Sequence, residues 1–329
     1  MIKIISLLIA SISLGAAGAW FISKYGIRLD TIDISNQRSS HKGIVPKGGG
    51  IGIFFAFLTL SFFLNLPYHL WGSAFVIALV SFLGDRRELS VSLRLIVQVL
   101  CALLFLIQFS PVSYSENIFL YLFFIVFIAG TANIFNFMDG IDGIAGIISV
   151  VAFGSIAFYG VMGQVRTEYI VLCAGMALAS IGFLFFNIPK ARVFMGDVGS
   201  VFLGFVFAGV LIYFCIDLRD FICMSGFLLM FYADEIITMA VRIQSRESLT
   251  VPHRRHVYQL LANEMGIEHW KVSMFYGAAQ ALISFTILIV RSENIYIILT
   301  MLGLYFLFFL VLSINIRKKV YLLNENRGL

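Results

Sequence analysis

The stretch FNIPKARVFMGDVGS (residues 186–200) is a polar turn between two long apolar segments. It contains a lysine, an arginine and an aspartate, and it ends in Gly-Asp-Val-Gly-Ser. Across the 329 residues, 60% are hydrophobic and 12% are charged, whereas soluble domains average about 25% charged residues. One soluble core cannot bury so much apolar surface. The turn therefore connects two helices of a protein that lies in lipid.

Apolar runs of about 17–25 residues predict an all-α polytopic membrane protein with eleven transmembrane helices. We expect these helices near residues 2–22, 49–66, 68–84, 95–111, 117–138, 143–162, 168–186, 200–217, 220–241, 272–290 and 295–315. They form one domain over residues 1–329, with polar loops near 23–48, 85–94, 133–146, 187–200 and 242–271. The four cysteines lie in apolar runs without paired spacing, which favours buried free thiols.

The distribution of basic residues predicts the orientation. The loops after the odd-numbered helices and the C-terminal tail hold 19 of the 23 Lys and Arg residues. By the positive-inside rule these loops and the C-terminus are cytoplasmic, and the N-terminus is outside. Residues 2–22 also resemble a cleavable signal peptide. Cleavage would place the basic loop 23–48 outside, so we expect a retained helix.

Because these loops share one side, five polar clusters are expected to meet there. The first, RSSHKGIVPKGGGIGI (38–53), combines three glycines with Arg38, His41, Lys42 and Lys47, and it suits either a ligand or a basic anchor with a glycine hinge. The second, FLGDRRELS (82–90), places Asp85 at a helix end. Its alternative is an ordinary helix exit.

The third cluster is NIFNFMDGIDGIAG (133–146), in which two amides and two carboxylates recur every three residues. They are Asn133, Asn136, Asp139 and Asp142. Such groups at a membrane helix end are costly unless they bind a partner. The alternative is capping between adjacent helices.

The fourth cluster is the opening stretch, where Asp197 in a glycine turn suits a hard cation such as Mg²⁺. The alternative is that Ser200 caps a helix beside it. The fifth, VPHRRHVYQ (251–259), suits phosphate through His253, Arg254, Arg255 and His256. Asp234 and Glu235 belong either to an internal ion network or to the site.

Acids and amides that face many basic residues are typical of a site for a Mg²⁺-bridged polyphosphate. The membrane location indicates that a second substrate, or the product, is a lipid.

In this order, the clusters resemble the polyprenyl-phosphate N-acetylhexosamine-1-phosphate transferase superfamily, of the glycosyltransferase family 4 type. The resemblance covers residues 38–259, and its most specific motifs are NxxNxxDGIDG and NxPKAxxFMGDxGS. It implies a membrane-embedded catalytic domain that transfers a sugar-1-phosphate from a UDP-sugar to undecaprenyl phosphate. UMP is released, and the cofactor is Mg²⁺, with Mn²⁺ as an alternative.

The resemblance also implies roles for individual residues. Asp197 is the candidate metal ligand, with Asp85, and Phe194 is the residue that stacks on uracil. Polar contacts to nucleotide or metal are implied for Asn136, Asp139 and Asn187. Asp142 completes the acidic pair. Lys42 is implied to meet phosphate, and His253, Arg254, Arg255 and His256 to contact the diphosphate or the sugar. Asp85, Asp139, Asp142 and Lys42 are the catalytic candidates.

The sequence departs from the family pattern at Gly84, where the family usually has the first of two adjacent aspartates. A phosphate monoester, with a second pKa of about 6, is mostly a dianion at neutral pH. A proton-removing base is therefore helpful rather than obligatory. The alternative is an impaired homologue that binds UDP-sugar without turnover.

The sequence PHRRH lacks the run of histidines typical of phospho-N-acetylmuramoyl-pentapeptide transferase. It favours the branch that initiates O-antigen, lipopolysaccharide or other surface polysaccharides, with UDP-GlcNAc or a related N-acetylhexosamine as donor. We expect a bacterial inner-membrane enzyme with its active site on the cytoplasmic face and no nucleic-acid partner. The sequence does not decide whether the protein forms a homodimer. A transporter or flippase is disfavoured because the acids lie at helix ends on one side and no internal repeat is present.

Overall fold

A computed structural model describes residues 2–34, 43–87, 89–109, 118–248 and 253–326. The helices are α1 (Ile2–Tyr25), α2 (Ile51–Phe63), α3 (Tyr68–Arg86), α4 (Val91–Phe109), α5 (Ile118–Phe137), α6 (Ile144–Met162), α7 (Thr167–Asn187), α8 (Asp197–Phe214), α9 (Leu218–Ser225), α10 (Leu229–Gln244), α11 (Val257–Gln259), α12 (His269–Val290) and α13 (Ile295–Asn326). A two-stranded antiparallel sheet, β1 (Ile32–Ile34) with β2 (Ile44–Pro46), lies between α1 and α2.

The all-α polytopic fold is confirmed. Each of the eleven apolar segments corresponds to helix in the described part of the chain. Nine stretches there are long and apolar enough to cross a membrane, with α9 and α10 forming one of them (Leu218–Gln244). The apolar helices Ile51–Phe63 and Val91–Ile107 are shorter. The eleven-span count and the orientation stay predictions.

The ninth predicted helix, expected to run unbroken over 220–241, is interrupted. A 3₁₀ turn, Gly226–Leu228, separates α9 from α10. The side chain of Gln280 on α12 donates to the carbonyl of Gly226 over 3.0 Å and accepts from the N–H of Met230 over 2.9 Å. Unpaired backbone groups are costly inside a membrane, and Gln280 supplies partners on both sides of this break.

Helix α8 lies at the centre of the bundle, in contact with α2, α3, α5 and α6. All of its residues except Asp197 and Tyr213 are buried. Glycines permit this close packing, as small residues do in membrane bundles. A Cβ atom on Gly204 would lie 2.7 Å from Cα of Ala132 on α5, and one on Gly50 would lie 2.3 Å from Cα of Gly199.

Two helix boundaries differ from the prediction for identifiable reasons. Helix α8 begins at Asp197 rather than at residue 200, so the interpretation of Ser200 as the N-cap is wrong, and Gly196 holds that position. Helix α13 continues to Asn326 rather than ending at 315. Its added turns bury Ile316 and Val320 against the rest of the bundle.

Candidate active site

The site begins at the N-terminus of α8. Gly196 precedes the helix with φ of +74°, a conformation that favours glycine. The backbone N–H groups of Asp197 and Val198 donate to the two carboxylate oxygens of Asp85, over 3.0 and 3.1 Å. Free amides at a helix N-terminus attract negative charge. Asp85, which is 4% exposed, therefore caps α8 from the end of α3.

Three helices meet at the carboxylate of Asp197. Its Oδ1 accepts from the amide nitrogen of Asn136 on α5 over 2.8 Å, and its Oδ2 is 2.7 Å from Nη1 of Arg94 on α4. The same Asn136 nitrogen lies 2.9 Å from the hydroxyl of Ser200. The Asp197 side chain is 23% exposed. This carboxylate is thus held in place and open on one side.

Asp139 follows α5 in a half-buried turn. Within the described part of the chain, its carboxylate has no hydrogen-bond or salt-bridge partner. Burial, together with the negative charges of Asp197, Asp85 and Asp142, raises the pKa of Asp139 to about 8. The carboxylates therefore form a region of negative potential to which a cation would be attracted.

Asp142 and Asn187 connect the turns around the site. Asp142 Oδ2 accepts from the N–H of Ala191 over 3.2 Å and lies 3.4 Å from Nδ1 of His269. The side chain of Asn187 accepts from the N–H of Gly143 and donates to the carbonyl of Val193, over 2.6 and 2.8 Å. Asn187 is 5% exposed. In this structure its amide therefore positions two loops, and contact with substrate stays a prediction.

Phe194 joins the first cluster to the fourth through its backbone. Its N–H donates to the carbonyl of Pro46 over 2.8 Å, and its carbonyl accepts from Gly48 and Gly49 over 3.1 and 2.9 Å. The loop before α8 thereby adds to the β1–β2 hairpin, an element that the sequence did not predict. The Phe194 side chain is half-buried, and its stacking on a base stays a prediction.

His256 lies in a buried acidic pocket. Its Nδ1 is 3.8 Å from Oδ1 of Asp234, and its Nε2 is 3.5 Å from Oε2 of Glu235. Asp234 also accepts from the N–H of Val257 and the hydroxyl of Tyr276, over 2.9 and 2.7 Å. The contacts of Asp234 thus support an internal ion network that fixes the histidine loop, and Glu235 lies beside the same histidine.

The other members of the fifth cluster lie nearer the surface. The ring centroid of His253 is 4.9 Å from that of His256. Burial, then the positive charges of His256, Arg242 and Arg255, lower the pKa of His253 to about 4. His253 is therefore neutral at pH 7. Arg255 forms a 2.5 Å ion pair with Glu247, and Arg254 is half-buried.

A cavity of about 490 Å³ opens between α3, α4, α5, α8, α10 and the histidine loop. Its polar lining includes Arg94, Gln98, Asn133, Asn136, Glu235, Arg242, His253, His256 and Gln259. Its apolar lining includes Ile77, Val80, Leu95, Val97, Phe137, Val201 and Met239. The cavity therefore suits an amphiphilic ligand with an anionic head.

The structure brings described members of all five clusters together. The hydroxyl of Tyr258 completes the set by donating to the carbonyl of Phe137 over 2.9 Å. Arg38, His41 and Lys42 lie outside the described residues. Arg94 and His269 are not among the site residues that the sequence predicts. The four-residue spacing of Arg94 and Gln98, two polar residues on one face of an apolar helix, could have indicated Arg94.

The residues around Asp197 fit a magnesium ion in an open site. Among the described residues, no three His, Cys, Asp or Glu side chains group closely enough to enclose a metal ion. Mg²⁺, however, is usually held by one or two carboxylates plus substrate phosphates and water. The unpartnered carboxylate of Asp139 and the accessible carboxylate of Asp197 meet that requirement. The oxygens of Asp85 already accept two amides, so its role as a metal ligand stays a prediction.

Three relatives illustrate what the chain is similar to. It is 24% identical over 344 residues to the "Probable undecaprenyl-phosphate N-acetylglucosaminyl 1-phosphate transferase" of Bacillus subtilis (strain 168), covering 99% of this chain and 94% of that protein. It is 24% identical over 215 residues to the undecaprenyl-phosphate alpha-N-acetylglucosaminyl 1-phosphate transferase of Escherichia coli (strain K12), covering 59% and 58%. It is 30% identical over 121 residues to the phospho-N-acetylmuramoyl-pentapeptide-transferase of Oceanobacillus iheyensis, covering 37% and 35%.

The family model described as Glycosyl transferase family 4 matches residues 68–215. This segment contains the carboxylates and amides at and around the N-terminus of α8, namely Asp85, Asn136, Asp139, Asp142, Asn187 and Asp197. The resemblance inferred from the motifs is therefore confirmed, and residues 68–215 of this chain are the part that matches the glycosyl transferase family 4 model.

Proposed function

We propose that this protein transfers an N-acetylhexosamine-1-phosphate from a UDP-sugar to undecaprenyl phosphate and releases UMP. The observation that carries the proposal is that the Asp197 carboxylate is bound by Arg94 and Asn136, which also line an amphiphilic cavity. The names of the Bacillus subtilis and Escherichia coli relatives support the acceptor and favour N-acetylglucosamine as the sugar.

The donor diphosphate binds at the N-terminus of α8, with the uracil at Phe194. When bound, Mg²⁺ would be held by Asp139 and Asp197 and would neutralise charge on the donor phosphates. Asn136 orients Asp197 by its 2.8 Å hydrogen bond. Arg94 is a fixed cation beside the same phosphates. Positioning and charge neutralisation supply most of the catalysis in phosphoryl transfer.

The acceptor phosphate enters the cavity from the membrane, with its prenyl chain along the apolar lining. Its oxygen attacks the sugar-bearing phosphorus, and UMP leaves.

A two-step route would need Asp85 as the nucleophile. Both oxygens of Asp85 accept amides of α8, and the residue is 4% exposed. These contacts favour direct attack by the acceptor phosphate. The site then faces the cytoplasm of a bacterial inner membrane, where the UDP-sugar is available.

The test is transfer of radiolabel from UDP-N-acetylhexosamines to undecaprenyl phosphate by the purified protein with Mg²⁺, together with UMP release. UDP-GlcNAc is the donor expected to give the most product. Failure of every donor would contradict the proposal.

Gly84→Asp distinguishes a competent enzyme from an impaired one. Among the described residues, a Cβ atom at position 84 would meet only the Cδ1 atom of Leu89, at 3.7 Å, so we expect the aspartate to be accommodated. We expect the native chain to be active and the variant to remain within about tenfold of it, because the acceptor is already a dianion at pH 7. Activity in Gly84→Asp alone would instead establish an impaired homologue with an intact site.

A further inference from the structure

Glu235 on α10 is a buried carboxylate with unused hydrogen-bonding capacity. It is 4% exposed and lines the cavity. Within the described residues its Oε2 atom accepts no hydrogen bond, and Nε2 of His256 lies 3.5 Å away. Burying a carboxylate without donors is unfavourable. A cavity ligand that brings a proton to this oxygen would remove that cost.

The charged and titratable groups around Glu235 restrict what this ligand is. They come from α10, the histidine loop, α4, α12 and α13, and they are Asp234, Arg242, His253, His256, Arg94, Tyr276 and Arg317. Asp234 is already satisfied by hydrogen bonds from Val257 and Tyr276. Two guanidinium groups and one unsatisfied carboxylate therefore face the cavity. A phosphate monoester that carries one proton is complementary to both kinds of group. Its oxygens can accept hydrogen bonds from the guanidinium groups, and its O–H can donate to Glu235.

We propose that Glu235 accepts the proton of the acceptor lipid phosphate, an inference that rests on the function proposed above. The O–H bond of the phosphate monoanion breaks, and an O–H bond forms at Oε2 of Glu235. The resulting dianion forms a bond from its oxygen to the sugar-bearing phosphorus. The bond between that phosphorus and the UMP oxygen breaks, and its electron pair leaves with UMP. Glu235 returns its proton to solvent after the products depart.

This assignment places a proton acceptor in a chain that has Gly84 where the family usually has a carboxylate. The carboxylate that accepts the proton is then carried by α10, whereas the family's usual carboxylate would be on α3. His256 positions Glu235, since its Nε2 faces Oε2 and its Nδ1 faces Asp234.

The test compares transfer rates of the wild-type protein and Glu235→Gln from pH 5 to pH 8.5. In wild type, the proton of the bound monoanion moves to Glu235, so the transfer rate at pH 5 should stay close to its plateau. The Glu235→Gln variant can use only lipid phosphate that is already a dianion. Its transfer rate at pH 5 should therefore fall to about one tenth of its own plateau, because the phosphate pKa is about 6. At pH 8 the two proteins should agree within about twofold.

A matched control is Glu168→Gln, at the opposite end of the bundle, which should follow the wild-type profile. Parallel pH profiles for wild type and Glu235→Gln, whether equal or uniformly lowered, would overturn the proposal. A uniform loss would mean that the side chain only supports the structure.

A second readout does not depend on turnover. Titration calorimetry of farnesyl phosphate binding at pH 7.5, in buffers of different ionisation enthalpy, measures protons taken up. We expect uptake of about one proton by wild type and none by Glu235→Gln, since free phosphate is mostly deprotonated at that pH. Equal uptake in both proteins would overturn the proposal. Proton uptake without any sugar transfer would instead refute the proposed function and leave the role of Glu235 intact.

Discussion

Asp197→Asn is expected to lower sugar-phosphate transfer by at least about 10³-fold while the protein remains folded in the membrane. The substitution removes the negative charge that faces Arg94 and the candidate magnesium site. The fold should survive because Asp85 is bonded to the backbone N–H of residue 197, which the substitution keeps. The amide oxygen of asparagine can still accept from Asn136.

The measurement is initial transfer rate with saturating Mg²⁺, alongside the melting temperature in detergent. Asp217→Asn is the matched control. Asp217 caps α9 by accepting from the N–H of Asp220 over 2.9 Å, and asparagine is an equally good cap. This control should retain wild-type activity. Undiminished transfer by Asp197→Asn would refute the assignment of Asp197, whereas loss of both folding and transfer would assign it a structural role.

Gly50→Ala is expected to lower transfer by about 10²-fold, because displacement of reacting groups by about 1 Å has effects of that size. The new Cβ atom would lie 2.3 Å from Cα of Gly199 and 2.9 Å from its nitrogen. Both contacts are with backbone, so the N-termini of α2 and α8 must separate. Asp197, two residues before Gly199, would move with α8.

The same substitution should destabilise the protein by about 1–3 kcal/mol, the usual effect of overpacking. The control is Gly72→Ala on α3, where an added Cβ has no heavy atom of the described residues within 4 Å. Thermal unfolding and transfer rate are measured for both variants. Wild-type rates in Gly50→Ala would show that the close approach of α2 and α8 is not needed to position Asp197.

Local patterns were sufficient to predict the helical segments and the convergence of the polar clusters. The apolar runs are long, and the charged residues lie on alternate loops, so the helices could be placed without knowledge of their packing. Asn136, Asp139 and Asp197 could be selected because carboxylates and amides at membrane helix ends need partners. Their assembly at one helix N-terminus confirms that convergence.

Long-range contacts explain what the sequence did not predict. The start of α8 depends on Asp85, which is 112 residues from Asp197 in the chain. The break between α9 and α10 depends on Gln280, which is 54 residues from Gly226. The contact between the β1–β2 hairpin and the loop before α8 depends on the backbone of Phe194, and an apolar side chain does not indicate which partners its backbone binds. None of these contacts leaves a periodic pattern in its own segment.

The burial of α8 has a consequence for biogenesis. This helix is enclosed by α2, α3, α5 and α6, so its final surroundings are almost entirely protein. All four of these helices precede α8 in the chain, so α8 has to enter among helices that were synthesised before it. We therefore expect its arrival to be a late assembly event, and the candidate site at its first residue to form only when the bundle closes around it.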